Sequence, residues 1–114
     1  MDATAALTEL VGVSTEVVEA VVTGPSGEIE AARTSSEARA RELAGAGAEL
    51  LVQAADIRTG APVERVQVDL ARGSLVACTD GVRAIVATTV AEPTSALVAL
   101  DLRTALRRAA GEAR

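Results

Sequence analysis

Three short turns between Val- and Ala-rich segments constrain the fold of this chain more than any other feature of its sequence. The turns are Gly24-Pro25-Ser26-Gly27, Ala71-Arg72-Gly73 and Asp80-Gly81, and Asp-Gly is a preferred pair for a two-residue hairpin. Strands joined by such turns run antiparallel, because a parallel neighbour needs a crossover of about a dozen residues or more. The sequence therefore predicts β-hairpins and an antiparallel sheet.

The segments around these turns predict five strands, over residues 16–23, 28–33, 63–70, 74–79 and 82–90. In the third strand, apolar and polar residues alternate, which is typical of a strand with one buried face. Its apolar residues are Val66, Val68 and Leu70, and its polar residues are Arg65, Gln67 and Asp69. The last strand is apolar on both faces, which predicts a central position in the sheet.

Helical periodicity marks three further segments: residues 3–11, Ser36 to Asp56, and a final stretch that begins near Ser95. Gly12 is a plausible C-cap of the first helix. Ser35 or Ser36 can cap the long second helix, whose first turn carries Glu37. The apolar face of this helix, predicted to lie on the sheet, contains Ala40, Leu43, Ala44, Gly47, Leu50, Leu51 and Ala54.

The element order is thus helix, strand, strand, helix, strand, strand, strand, helix. Helices that bury one stripe must cover the faces of the sheet. The sequence predicts an α+β fold, and its length is that of one domain, residues 1–114.

The residue inventory excludes much catalytic chemistry. The chain has no His and no aromatic residue, one Cys, and eleven basic residues that are all Arg. Without His or Lys there is no Ser-His-Asp triad, no imidazole metal site, no Schiff base and no Walker-type phosphate loop. We therefore expect no catalytic residues, no cofactor and no metal, and a protein that binds other proteins instead of an enzyme.

Charge and hydropathy limit the partners. The formal net charge of −5 argues against nucleic acid, whose affinity rests on clustered cations. Uncharged runs such as 84–91 are too short for a membrane span, which needs about 20 residues. The amino terminus has no basic, apolar leader, and a lone Cys fits a reducing compartment. These features predict no membrane insertion and a cytoplasmic location.

The order of these segments resembles the Roadblock family, named for a dynein light chain and including bacterial and archaeal regulators of Ras-like GTPases. The resemblance runs from about Leu7 to Ala110. It rests on the strand 17–22 with its Gly27 turn, the helix end 49–55, and the segments 63–68, 73–77, Asp80-Gly81 and 100–103. It implies a profilin-like, five-stranded antiparallel sheet with the long helix on one face and the terminal helices on the other.

The resemblance also implies a homodimer in which the long helices lie side by side and the third strands pair. Two features of the sequence fit such a dimer: a patch of small residues in the long helix and a half-polar edge strand, which invites pairing. The candidate dimer residues are Ala44, Gly45, Gly47, Ala48, Arg65, Gln67 and Asp69. A core without aromatic residues buries little area per residue, so association would add burial that the monomer lacks.

The resemblance further implies a small Ras-like GTPase as the partner and a role as a non-catalytic adaptor that modulates the nucleotide cycle or the location of that GTPase. The candidate contacts form the polar stripe of the long helix: Arg39, Glu42, Glu49, Gln53 and Asp56. A merely solvated helix face is the alternative interpretation of this stripe. Two other functions stay open, a structural adaptor for a peptide or larger assembly and a small-molecule sensor.

Overall fold

The computed structural model describes residues 2–57 and 60–111, which form three helices and five strands. In chain order the elements are α1 (Ala3–Val13), β1 (Val17–Thr23), β2 (Ile29–Arg33), α2 (Glu37–Ala55), β3 (Arg65–Leu70), β4 (Gly73–Thr79), β5 (Ala84–Thr89) and α3 (Ser95–Ala109). The predicted order of helices and strands is confirmed.

The five strands form one sheet in the order β2-β1-β5-β4-β3, and every neighbouring pair is antiparallel. β5 lies in the centre, and Ile85, Val86 and Ala87 are buried on both of its faces, as its sequence predicted. β2 and β3 form the two edges. The fold class expected from the sequence is therefore confirmed.

One apolar cluster lies on each face of the sheet. Leu7, Leu10, Val98 and Leu102 of α1 and α3 pack with one face, which contributes residues such as Ile85. On the opposite face, the side chains of α2 cover a smaller cluster that contains Val21, Ala77 and Val86. The single helix leaves part of this face uncovered, so that grooves lie beside it.

The start of α2 follows from its sequence, whereas the end of α1 differs from expectation. The Ser36 side chain accepts a hydrogen bond from the Arg39 backbone N–H at 3.1 Å, so Ser36 is the N-cap of the two candidates, Ser35 and Ser36, that the sequence offered. α1 continues through Gly12 to Val13, and the backbone N–H of Ser14 donates to the carbonyl of Leu10. The prediction that Gly12 is the C-cap was therefore wrong, because the helical hydrogen bonds continue beyond it.

The turn between β4 and β5 lies one residue later than predicted. β4 ends at Thr79 and β5 begins at Ala84, and these two residues lie opposite each other. The Asp80 backbone N–H donates to the Arg83 carbonyl at 3.2 Å, so the two linking residues are Gly81 and Val82 instead of Asp80 and Gly81. The Asp80 carboxylate accepts hydrogen bonds from the backbone N–H groups of Val82 and Arg83, both at 2.8 Å. These bonds satisfy backbone groups within the turn, where Gly81 has a φ of 93°.

No helix in the described part of the chain is long and apolar enough to span a bilayer.

Candidate interaction surfaces

The outer edge of β3 presents unpaired backbone groups. β3 has a single strand neighbour, β4, in the described sheet. The Thr79 backbone N–H donates to the Glu64 carbonyl at 3.0 Å, and Arg65 lies opposite Cys78. Because the direction of these groups alternates along an antiparallel strand, the N–H and C=O groups of Arg65, Gln67 and Asp69 point away from β4. The three predicted edge residues therefore share one free edge.

A hydrogen-bond network holds the polar side chains of this edge. The Asp69 carboxylate accepts from the Gln67 amide at 2.8 Å and from the Ser74 hydroxyl at 2.6 Å, and these bonds lower the pKa of Asp69. The Gln67 amide also donates to the Ser95 hydroxyl at the start of α3, at 2.9 Å. The edge is thus tied to β4 and α3 on the face opposite α2.

An apolar trough lies on the other face of β3, between the sheet and one flank of α2. Its volume is about 350 Å³, and it is lined by Ala46, Glu49, Leu50, Gln53, Val68, Leu70 and Leu75. Leu70 is 66% exposed at its rim. A second groove of about 560 Å³ shares Leu70 and Leu75 and continues along the sheet past Val18 and Thr88. A solvent-exposed apolar surface of this extent beside a free strand edge is typical of an interaction surface.

Gly47 lies at the closest approach of α2 to the sheet. A Cβ atom at this position would lie 2.2 Å from Cγ2 and 2.8 Å from Cγ1 of the buried Val86. The residue must therefore be glycine for α2 to reach the sheet. Its role lies inside the protomer, so it is not part of a surface that a second copy could reach.

The other small residues of α2 lie on different sides of the helix. With Gly47 facing the sheet and about 100° between successive residues, Ala46, Leu50 and Gln53 face the trough, and Ala44 and Ala48 face the opposite flank. Gly45 points outward, with no atom within 4 Å of a Cβ built on it. The structure thus does not bring the small-residue patch and the β3 edge together, because the flank that borders β3 is the one with Leu50.

The polar stripe of α2 is also divided. Arg39 forms an ion pair with Glu19 of β1 at 2.9 Å, and its distance to Glu42 is 4.0 Å. The Gln53 amide donates to the Glu49 carboxylate within the trough lining, at 3.3 Å.

The outward ridge of the helix contains Glu42, Gly45, Glu49, Val52 and Asp56, all of them exposed. Val52 is 66% exposed on this ridge. The sequence pattern did not single it out, because an apolar side chain is not expected on the polar side of an amphipathic helix.

The Glu19–Arg39 pair joins β1 to α2. Both residues line the groove that runs past Val18 and Thr88. The Glu19 carboxylate accepts two hydrogen bonds from the Arg39 guanidinium, at 2.9 and 3.0 Å, and one from the Thr88 hydroxyl at 2.9 Å. The bonds from Arg39 hold the pKa of Glu19 below its ordinary value of 4.5, against the opposing effect of burial. The pair therefore fixes the amino-terminal half of α2 on the sheet.

Replacing Arg39 with glutamine is expected to lower the free energy of unfolding near neutral pH by about 1 kcal/mol, because the ion pair is only partly shielded from water. A depressed carboxyl pKa contributes stability above its unfolded value and loses it as the pH falls through its folded value. The difference between Arg39→Gln and the unmodified chain should therefore shrink below pH 4.5. Urea unfolding at several pH values measures this, with Arg41→Gln as the control; a difference independent of pH would contradict it.

No group of three or more Cys, Asp or Glu side chains suited to a metal occurs among residues 2–57 and 60–111. Cys78 is buried, and burial raises the pKa of its thiol, so the reactive thiolate is disfavoured.

Comparisons with known proteins find matches in structure and none in sequence. No protein-family model matches the chain, and no curated protein matches it in sequence. Among solved structures, a Roadblock/LC7 domain from Streptomyces avermitilis superposes with a TM-score of 0.84 at 18% identity, covering 97% of both chains.

Two further structures are similar. MglB from Myxococcus xanthus has a TM-score of 0.70 at 15% identity, over 90% of this chain and 80% of MglB. The gliding protein MglB from Thermus thermophilus has a TM-score of 0.71 at 18% identity, over 97% of this chain and 87% of that protein. The helices and the sheet described above, together with these matches, confirm the resemblance seen in the sequence at the level of the fold: this chain has the Roadblock/LC7 fold.

Proposed function

We propose that this protein is a non-catalytic homodimeric adaptor that binds a small Ras-like GTPase and modulates its nucleotide cycle or its location. The observation that carries the proposal is the free β3 edge with an apolar trough beside it, in a fold shared with Roadblock/LC7 domains and MglB. The GTPase is inferred from the Roadblock relatives that regulate such proteins.

The backbone of β3 supports a second copy of this chain as the first partner. In an antiparallel pair of identical strands related by a twofold axis, residues at equal distances on either side of the central residue face each other. If Gln67 is central, Arg65 faces Asp69 of the partner subunit, and the contact occurs twice. The outward backbone groups of these residues then form hydrogen bonds across the interface, and opposite charges lie directly opposite each other.

The trough supports the same dimer. A twofold axis through the β3 edge sets the Leu50 flank of α2 toward the second copy. Leu70 and the half-buried Val68 and Leu75 would then lose contact with water. The proposed dimer surface is therefore β3 with the Leu50 flank, whereas Ala44, Gly45 and Ala48 lie outside it. This assignment replaces the patch expected from the sequence, because the helix is rotated so that Gly47 faces Val86.

The outward ridge of α2 is the proposed surface for the GTPase. It combines the carboxylates of Glu42, Glu49 and Asp56 with the exposed Val52. Glu42, Val52 and Asp56 do not line the trough, so they stay accessible when β3 and the trough are occupied, whereas Glu49 lies at the border of the two surfaces. Arg39 takes part less directly, since its guanidinium is held by Glu19.

Affinity capture with the immobilised protein, in GDP or in a non-hydrolysable GTP analogue, tests the proposal. We expect a Ras-like GTPase in the eluate, with a difference between the two nucleotides. The double variant Glu42→Arg with Val52→Arg should weaken capture at least about tenfold while leaving the dimer intact, because it reverses a charge and removes an apolar contact. The variant Glu28→Arg, with the same charge reversal in the β1–β2 turn, serves as the control.

Two outcomes would contradict the proposal. Undiminished capture by the double variant would exclude the α2 ridge. An eluate with other proteins and no GTPase in either nucleotide would favour the structural adaptor instead.

A further inference from the structure

β2 forms the second free edge of the sheet. Its single strand neighbour in the described sheet is β1. α1 packs over one face of β2, where Ala31 is buried, but Ile29, Ala32 and Arg33 are exposed. The unpaired N–H and C=O groups of such an edge can form hydrogen bonds with the backbone of an added strand. An edge of this kind can therefore bind an extended chain.

The shape and charges of β2 argue against a second copy of this chain as the occupant. Ala31 lies opposite Val22 and Ile29 lies opposite Thr23, so Glu30 is the extra residue of a β-bulge and only residues 31–33 form a regular edge. This regular part contains Arg33 and no carboxylate, so a symmetric pair of two such segments gives Arg33 no opposite charge. Glu30 is moreover held by Arg83 of the β4–β5 loop, at 2.8 Å. The two edges therefore differ: the charges of β3 are self-complementary, whereas the regular part of β2 offers a second copy an arginine and no carboxylate.

A groove beside β2 can accommodate apolar side chains of the occupant. Ile29 and Ala32 form its floor and Ala40 of α2 its wall, and its volume is about 630 Å³. Ile29 is 38% exposed. Side chains of an added strand point alternately to the two faces of the sheet, so every second residue would enter this groove.

The other face of β2, which α1 covers, favours an acidic residue in the added strand. Arg33 lies opposite Ala20, on the face of β2 covered by α1, and its guanidinium has no carboxylate within 4 Å among residues 2–57 and 60–111. On the groove side, Arg41 shares the lining with Glu37, so the groove itself carries no net charge. An acidic residue next to the apolar one would therefore meet Arg33.

We propose that the outer edge of β2 binds an extended segment of another protein in which apolar and acidic residues alternate. The segment adds a strand to the sheet, places its apolar side chains against Ile29 and Ala32, and places a carboxylate opposite Arg33. This inference depends neither on the β3 dimer nor on a GTPase, so either can fail without the other.

A synthetic peptide of alternating valine and aspartate tests the proposal, with a peptide of alternating valine and lysine as its counterpart. Amide chemical shifts of the isotope-labelled protein are followed up to about 1 mM peptide, a range that detects weak binding. We expect the aspartate peptide to bind more tightly than the lysine peptide and to shift the amides of Ile29–Arg33 and of the first turns of α2. Shifts confined to β3, or no binding of either peptide, would overturn the proposal.

The variant Arg33→Glu sharpens the test. Its affinity for the aspartate peptide should fall about fivefold, and the lysine peptide should become the better ligand, because a cross-strand pair of opposite charges becomes one of like charges. Arg72→Glu, with the same charge change in the β3–β4 turn, should leave the preference as it was. An unchanged preference in Arg33→Glu would overturn the proposal, and the dispersion of its amide spectrum shows whether the variant is folded.

Discussion

Gly47→Ala is expected to lower the free energy of unfolding by about 1 to 3 kcal/mol, the usual cost of overpacking a core. Alanine favours a helix over glycine by about 1 kcal/mol, so propensity alone predicts the opposite sign. Overpacking should dominate, because the added Cβ would lie 2.2 Å from Cγ2 of Val86. Val86 is buried and β-branched, so its side chain cannot rotate away without strain. Urea unfolding at fixed protein concentration measures the effect.

Gly45→Ala is the matched control in the same helix. A Cβ at Gly45 meets no atom within 4 Å, so this substitution should stabilise the protein by about 1 kcal/mol. In a Val86→Ala background the clash at Gly47 is removed, and Gly47→Ala should become neutral or stabilising. If Gly47→Ala and Gly45→Ala stabilise equally, α2 does not pack on Val86 as described.

Arg65→Glu is expected to raise the dissociation constant of the proposed dimer about 30-fold. Reversing one cross-strand pair changes its free energy by about 1 kcal/mol, and the twofold axis makes the change act twice. Sedimentation equilibrium measures the constant. Arg72→Glu, which makes the same charge change beyond the end of β3, should leave it unaltered.

A mixture of variants tests the register of the two β3 strands. Arg65→Glu and Asp69→Arg should each weaken self-association, because each sets like charges opposite each other in its own dimer. When the two variants are mixed, both contacts become pairs of opposite charge, and a heterodimer should form. A mixture that associates no better than either variant alone would refute the register centred on Gln67, and an unmodified chain that stays monomeric at about 100 μM would refute the dimer.

The local patterns of the sequence predicted most of the fold. Alternation in 63–70 predicted β3 and its two faces, Ser36 predicted the start of α2, and apolar residues on both parities predicted the central place of β5. Such patterns are local consequences of strand and helix periodicity and of capping, so they can be read without the tertiary structure. The end of α1 and the position of the turn between β4 and β5 could not be read in this way, because each depends on hydrogen bonds that compete with the expected ones.

The candidate surfaces were predicted less completely. The β3 residues Arg65, Gln67 and Asp69 lie on one free edge, as their alternation suggested, and the register with β4 shows which backbone groups point outward. The small-residue patch of α2 was interpreted as a single surface, yet its members point in three directions. The Leu50 flank was missed because an amphipathic pattern identifies a core face but not which of its borders is left uncovered. Val52 was missed because an apolar residue is not expected on the outward side of such a helix.

By itself, the sequence determined the order of the elements and the antiparallel sheet. It also determined that no His, Lys or aromatic side chain of this chain takes part in its function. Only the tertiary structure decided that Gly47 faces inward and Gly45 outward, and that the flank of α2 with Leu50 borders the free edge of β3. The physical reason is that periodicity fixes the angles between residues around a helix, whereas the rotation of the helix on the sheet depends on where a side chain such as Val86 needs room.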